Sequence, residues 1–247
     1  AEFQQGHIPG AVFFDIDGIA DHATDLPHMM PAPGQFAAQV GALGIGGDDT
    51  VVVYDGAGLF SAPRAWWMLK AMGHDKVMVL DGGLPKWKHE GHPIQTGPAS
   101  MAPAAFAAAP RLRIMRDFDD VITTVRDGGA QIVDARGAAR FAGTEPEPRA
   151  GVRGGHMPGA INVPWRSVVT AQGTLKPAEE LRALFADARV DIRAPIVTTC
   201  GSGISAAILM LALETIGAAN VALYDGSWTE WGSRPEAPVE GTRLERP

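Results

Sequence analysis

The sequence predicts an α/β fold made of two tandem copies of one domain, each a mainly parallel sheet flanked by helices. Three observations carry that expectation: segments that recur in one order, strand-length apolar runs alternating with helical stretches, and enough chain for two cores. GHIPGA at Gly6 to Ala11 returns as GHMPGA at Gly155 to Ala160. VVVYDGAGLFSA from Val51 aligns with IVTTCGSGISAA from Ile196, and VMVLDGGLPKW ending at Trp87 aligns with VALYDGSWTEW ending at Trp231. The offsets are 149 (His7 to His156), 145 (Val51 to Ile196) and 144 (Trp87 to Trp231), too regular for chance. At about 150 residues per domain, 247 residues accommodate both copies.

Taken in chain order, Thr50 to Tyr54 is β-branched and strand-length, Ala62 to Met72 is a helical stretch, and Val77 to Leu80 is a second short strand. The other copy opens with a helix over Phe118 to Asp127 and a strand over Gln131 to Val133. A helix at Ala178 to Ala188, a strand at Pro195 to Thr199, a helix at Ser205 to Ile216 and a strand at Val221 to Tyr224 complete it. Such alternation implies parallel strands covered on both faces. The Pro- and Ala-rich stretch from Thr96 to Arg113 has no clean apolar period and reads as a linker, so the expected domains are 1–95 and 114–247 with 96–113 between them. The first copy has only five residues before GHIPGA, so counterparts of Ile114 to Gly154 are almost wholly missing. The expectation is a first domain lacking its opening helix and strand, in a chain that is a fragment short of about 35 residues at its start.

Composition excludes several function classes. With 21 Lys+Arg against 28 Asp+Glu the net charge is −7, the wrong sign for a nucleic-acid partner bound through its phosphates. Hydrophobic residues make up 46% of the chain, yet no apolar run approaches the roughly 18–20 residues of a membrane helix. No basic start followed by an apolar stretch marks a secretory signal. The expected protein is soluble and cytoplasmic, with no membrane partner.

The one cysteine, Cys200, cannot form an internal disulfide or a thiolate-rich zinc site, which fits a reducing compartment. It ends the apolar run PIVTT and opens CGSGIS before a helical stretch. In a parallel α/β sheet, ligands bind where a strand's carboxyl end turns into a helix. A Cys there faces peptide dipoles that favour a thiolate. Gly201 and Gly203 let the loop fold tightly enough for successive N–H groups to form an anion-binding nest, and Ser202 and Ser205 add hydroxyl donors. The first copy has Asp55 at the matching place, which cannot do thiol chemistry. Any nucleophilic catalysis therefore belongs to the second copy.

The doubled GH[IM]PGA unit, the DG-x3-W segment and a Cys loop only in the C-terminal copy resemble the two-domain rhodanese family of sulfurtransferases. The resemblance covers nearly the whole chain and implies tandem rhodanese-like domains. Within the family, CGSGIS from Cys200 through Ile204 to Ser205 is similar to the loop of the branch that takes 3-mercaptopyruvate, whereas thiosulfate-using members carry basic side chains directly after the Cys. A second stretch, RFAGTEPEPR, is similar to that branch's substrate-binding segment. By that match Arg140 and Arg149 hold the donor's carboxylate and keto oxygen, for which planar forked cations are suited. Asp17 and His28 match residues that the branch sets beside the loop serine, here Ser202, as a proton relay. His7 and His156 belong to the fold-marking unit and are assigned no chemistry.

The resemblance implies a ping-pong reaction. The Cys200 thiolate takes the sulfur of 3-mercaptopyruvate, pyruvate leaves, and the persulfide, cradled by the amides of Gly201 to Ser205, passes its sulfur to thioredoxin, a small thiol or cyanide. It implies no metal or organic cofactor. Two alternatives stay open at this level: a thiosulfate sulfurtransferase and a non-catalytic rhodanese-like binding module. A rhodanese-type phosphatase needs an Arg six positions after the Cys, where this chain has Ala206.

Overall fold

The computed structural model describes residues 2–241, and its chain divides into two units. One runs as far as Arg111 and takes in Val169–Leu175; the other comprises Leu112–Val168 and the residues from Lys176 onward. The outer ends of the expected domains, residues 1 and 247, lie outside the described residues.

In the first unit, a short helix α1 (Glu2–Gln5) precedes His7, and α2 (Pro33–Ala42) starts with proline at a position whose N–H has no helical partner to lose. Strand β1 (Val51–Val53) leads through the Asp55 loop into α3 (Ala62–Ala71), then β2 (Val77–Val79) and α4 (Gly83–His89). β1 and β2 pair in parallel, Val51 opposite Val77. α3 is buried along almost its whole length, including Arg64, Trp67 and Met68.

The stretch expected to be a linker is bonded to this unit. Ala104 N–H donates to Gly41 O, Ala109 N–H to Met72 O and Arg111 N–H to Ala71 O, while Arg111 forks onto Asp75. The Val169–Leu175 hairpin is fixed in the same unit by Leu175 N–H donating to Asp81 Oδ1 at 2.8 Å. Gly58 and Gly173 approach so closely there that a Cβ on Gly58 would meet the Gly173 Cα at 3.0 Å.

The second unit contains β3 (Met115–Arg116), α5 (Phe118–Asp127), β4 (Gln131–Asp134), α6 (Ala138–Ala142) and β5 (Ile161–Asn162). It continues with α7 (Ala178–Asp187), β6 (Ile196–Thr199), α8 (Ala206–Thr215), β7 (Val221–Tyr224) and α9 (Ser227–Ser233). Its strands form one all-parallel sheet in the order β3-β7-β6-β4-β5. β6 and β7 are buried at every residue, as strands covered on both faces must be. α8, AAILMLALET, is apolar nearly all round and correspondingly buried. α5 starts at a capping box, Asp117 Oδ1 accepting from Asp120 N–H while Asp120 Oδ2 accepts from Asp117 N–H. Phe118, Val121, Ile132, Met157, Val197, Tyr224, Trp228 and Trp231 share one core cluster.

The GHxPGA histidines play the same architectural part in both units. His7 Nδ1 lies 2.9 Å from Phe3 O with the two rings stacked at 4.1 Å; His156 Nδ1 lies 2.9 Å from Phe141 O with the rings stacked at 3.9 Å. Each histidine backbone also pairs with a late residue of its unit, Gln95 or Glu240. The sequence markers are thus pins that close each unit.

Candidate active site

Cys200 follows β6 and is 2% exposed. Its N–H donates to Ser227 Oγ at 3.2 Å, and its carbonyl accepts from Trp228 N–H at 2.9 Å. Gly201 O accepts both from Thr229 N–H at 2.9 Å and from Thr229 Oγ1 at 2.6 Å. The first turn of α9 therefore spends its free donors on the carbonyls of the Cys loop. Gly203 has φ +80°, a conformation that favours glycine, and lets the chain turn into α8. Ser205 is the residue at the start of that helix, and Ser202 and Ile204 are half-buried in the turn.

Arg140 lies against this loop, and Arg149 reaches a residue of α9 that is bonded to it. The Arg140 guanidinium, on α6, lies so near the Gly201 backbone that a Cβ there would come within 3.1 Å of its Nη2. Arg149 Nη1 is 3.4 Å from Thr229 Oγ1, the hydroxyl bonded to Gly201 O. The position of Arg140 is fixed by its partners. Arg140 Nη2 donates to Glu147 Oε2, and Glu147 Oε1 accepts from Arg136 Nη1 at 2.8 Å. Arg136 is itself clamped by Asp134, with Nη2 to Oδ2 at 2.7 Å and Nε to Oδ2 at 3.0 Å, and lies 4.2 Å over the Trp228 ring. Asp134, Arg136 and Glu147 are almost wholly buried, with side-chain exposures of 1%, 1% and 3%, whereas Arg140 is 25% exposed. The result is an alternating chain of charges that begins at the end of β4 and ends at the Cys loop.

This supporting chain was not legible in the motifs: a charged residue in a sequence carries no mark of burial. The available signals were the VDAR run that ends β4 and the second glutamate of GTEPEPR.

Asp17 and His28 lie in the first unit and are brought together, His28 Nδ1 standing 2.7 Å from Asp17 Oδ1. His28 has φ +62°, and its carbonyl accepts from the buried Arg64, which lies 4.4 Å over the Trp67 ring. Asp55 occupies the loop after β1 and accepts four backbone N–H bonds. Oδ1 takes Ala57 N–H at 2.8 Å, and Oδ2 takes those of Phe60, Ser61 and Ala62 at 2.8, 2.9 and 2.9 Å. That loop's nest of amides is filled by its own carboxylate.

The two copies also differ beside their histidine pins. Phe3 precedes His7 by four residues, whereas Phe141 precedes His156 by fifteen. Glu147 and Arg149 lie in the added stretch. The residue before each phenylalanine is Glu2 in the first copy and Arg140 in the second.

Comparison with known proteins shows the family. The model of the rhodanese-like domain matches residues 1–90 and 117–234. The chain is 47% identical over 239 residues to the 3-mercaptopyruvate sulfurtransferase of Escherichia coli K12, covering 97% of this chain and 85% of the relative. It is 43% identical over 246 residues to the human 3-mercaptopyruvate sulfurtransferase, with 98% and 83% covered, and 43% identical over 242 residues to the thiosulfate sulfurtransferase of Rattus norvegicus, with 97% and 81% covered. Among solved structures it is similar to SseA, a 3-mercaptopyruvate sulfotransferase from Escherichia coli, with a TM-score of 0.84, 45% identity and coverages of 92% and 85%. Tum1 from Saccharomyces cerevisiae superposes with a TM-score of 0.89 at 34% identity, covering 98% of this chain and 86% of that one.

Proposed function

The chain belongs to the rhodanese family, and from that premise we propose that it is a 3-mercaptopyruvate sulfurtransferase working through a persulfide on Cys200. The observation that carries the reading is the convergence of Arg140 and Arg149 on the Gly201 end of the Cys loop, with no cationic side chain between Cys200 and Ser205. Two forked cations suit an α-keto acid, whose carboxylate and keto oxygen offer adjacent acceptors.

In the proposed reaction the Cys200 thiolate attacks the donor's sulfur. The S–S bond forms as the donor's C–S bond breaks, and the electron pair of that bond passes into the enolate of pyruvate. Arg140 and Arg149 stabilise the negative charge as it moves onto the keto oxygen. The enolate takes up a proton, a step we assign to Ser202 with Asp17 and His28 as the expected relay. The outer sulfur of the persulfide is cradled by the amides of Gly201 to Ser205. A thiolate acceptor such as thioredoxin or a small thiol, or cyanide, then attacks that sulfur and regenerates Cys200.

We assign the chemistry to the copy spanning residues 114–247 and a non-catalytic role to residues 1–95. Among the described residues no helix is long and apolar enough to cross a membrane. The lone cysteine fits a reducing compartment, the cytoplasm in our reading. The test is a mass spectrum of the protein after incubation with 3-mercaptopyruvate: one added sulfur atom on Cys200, with pyruvate released in equal amount. Stronger turnover with thiosulfate than with 3-mercaptopyruvate would overturn the choice of donor.

A further inference from the structure

The buried carboxylate of Glu147 stands beside an anion clamp, where it offsets the attraction the clamp exists to provide. Orientation alone does not explain it. Arg136 is already held by Asp134 and by Gly155 O at 2.8 Å, and a neutral carbonyl, though a weaker acceptor than a carboxylate, could also orient the Arg140 guanidinium. What a carboxylate adds is charge. The groups linked to the Gly201 end of the loop comprise three guanidiniums, Arg136, Arg140 and Arg149, and two carboxylates, Asp134 and Glu147. Together they carry one net positive charge, and without Glu147 they would carry two. Because Glu147 is 3% exposed, water screens that difference little.

We infer that Glu147 determines donor specificity, holding the clamp at one net positive charge so that it selects a singly charged α-keto acid over a doubly charged sulfur oxyanion. The inference rests on the reading of Cys200 as sulfur acceptor and of Arg140 as donor clamp. Glu147 touches Arg140 and acts through it, so its signature is a change in preference between donors. Electrostatic matching of this kind governs which partner is accepted more than how fast an accepted partner reacts.

The experiment measures kcat/KM for 3-mercaptopyruvate and for thiosulfate in the wild type, Glu147→Gln and Glu147→Asp. The ratio of the two constants cancels the fraction of active enzyme, so a loss of fold alone does not move it. Glu147→Gln is expected to raise the thiosulfate-to-mercaptopyruvate ratio about tenfold or more, and Glu147→Asp, which keeps the charge, to hold it within about twofold of wild type even if both constants fall. An unchanged ratio in Glu147→Gln, or an equal rise in both variants, overturns the assignment. If Glu147→Gln fails to fold, competition against sulfur loading of the wild type decides. Pyruvate must inhibit at lower concentration than sulfate, and the reverse order overturns the proposal. A wild type whose Cys200 gains no sulfur from 3-mercaptopyruvate defeats the underlying reading and this one with it. Normal loading with an unmoved ratio defeats this one alone.

Discussion

The loops after β1 and β6 are built alike and filled differently. Asp55 and Cys200 stand 145 residues apart at the same turn, the offset of the repeat. In the first loop the carboxylate accepts the amides of Ala57, Phe60, Ser61 and Ala62. By that offset their counterparts are the amides of Ser202, Ser205, Ala206 and Ala207. A carboxylate oxygen lies two bonds from Cβ, as does the outer sulfur of a cysteine persulfide. The first copy thus holds permanently, in oxygen, the charge that the second is proposed to hold transiently, in sulfur. On that proposal the anion nest belongs to the turn, and catalysis is an addition to it. The additions are a nucleophile, Arg140 in place of Glu2, and the longer stretch that brings Glu147 and Arg149.

The largest effect that would break this comparison is on the nucleophile. Cys200→Ser should lose at least ~10³-fold of sulfur transfer from 3-mercaptopyruvate. Adding Asp55→Cys to that variant should restore none of it, because the first copy lacks the arginines. Pyruvate release measured on the double variant checks this, and recovery would mean that the cradle and a thiol suffice.

Next comes the clamp. Arg140→Gln removes a charge-assisted contact to the donor and to the developing enolate and should lower kcat/KM about 10- to 100-fold, through both KM and kcat. Arg140→Glu, which copies Glu2, should cost more than Arg140→Gln. Steady-state kinetics at fixed ionic strength separate the two, and equal losses would show that charge at this position is immaterial.

A smaller effect tests the idle loop. Asp55→Ala leaves four loop and helix amides without their acceptor and should destabilise the protein by about 2 kcal/mol, with kcat/KM per folded molecule unchanged. Denaturant titration alongside active-site counting measures both quantities. A loss of kcat/KM in fully folded Asp55→Ala would give the first loop a catalytic part. The smallest effect concerns the pins: Phe3→Leu and Phe141→Leu should each cost about 1 kcal/mol, and clearly unequal melting shifts would show that the stacked pairs are not equivalent.

Much of this division was legible in the sequence. The expected strand Thr50 to Tyr54 is β1, Val51–Val53, and the helix at Phe118 to Asp127 is α5 with the same bounds. Long apolar runs with β-branched or helical composition announce themselves locally. Short elements do not: β5 has two residues and α6 five, too few for any period to show. α2 was missed because Gly34 and Gly41 dilute its helical character, although Gly41 is there for packing, since a Cβ would meet Ala104 O at 2.6 Å. The partner in that contact belongs to the stretch that composition alone marks as a linker. At the site, Cys200, Arg140 and Arg149 were named by their motifs. Asp134, Arg136 and Glu147 were not, because what distinguishes them is burial against one another, and the tertiary fold alone supplies it.

One detail of the second loop gives its motion a readout. The amides of Trp228 and Thr229 are bonded to the carbonyls of Cys200 and Gly201, so neither can exchange its hydrogen with solvent until the strap they form is released. Cys200 itself is 2% exposed. The exchange rates of those two amides thus report how frequently this turn breathes, and they supply a natural yardstick against which the rate of sulfur loading can be read.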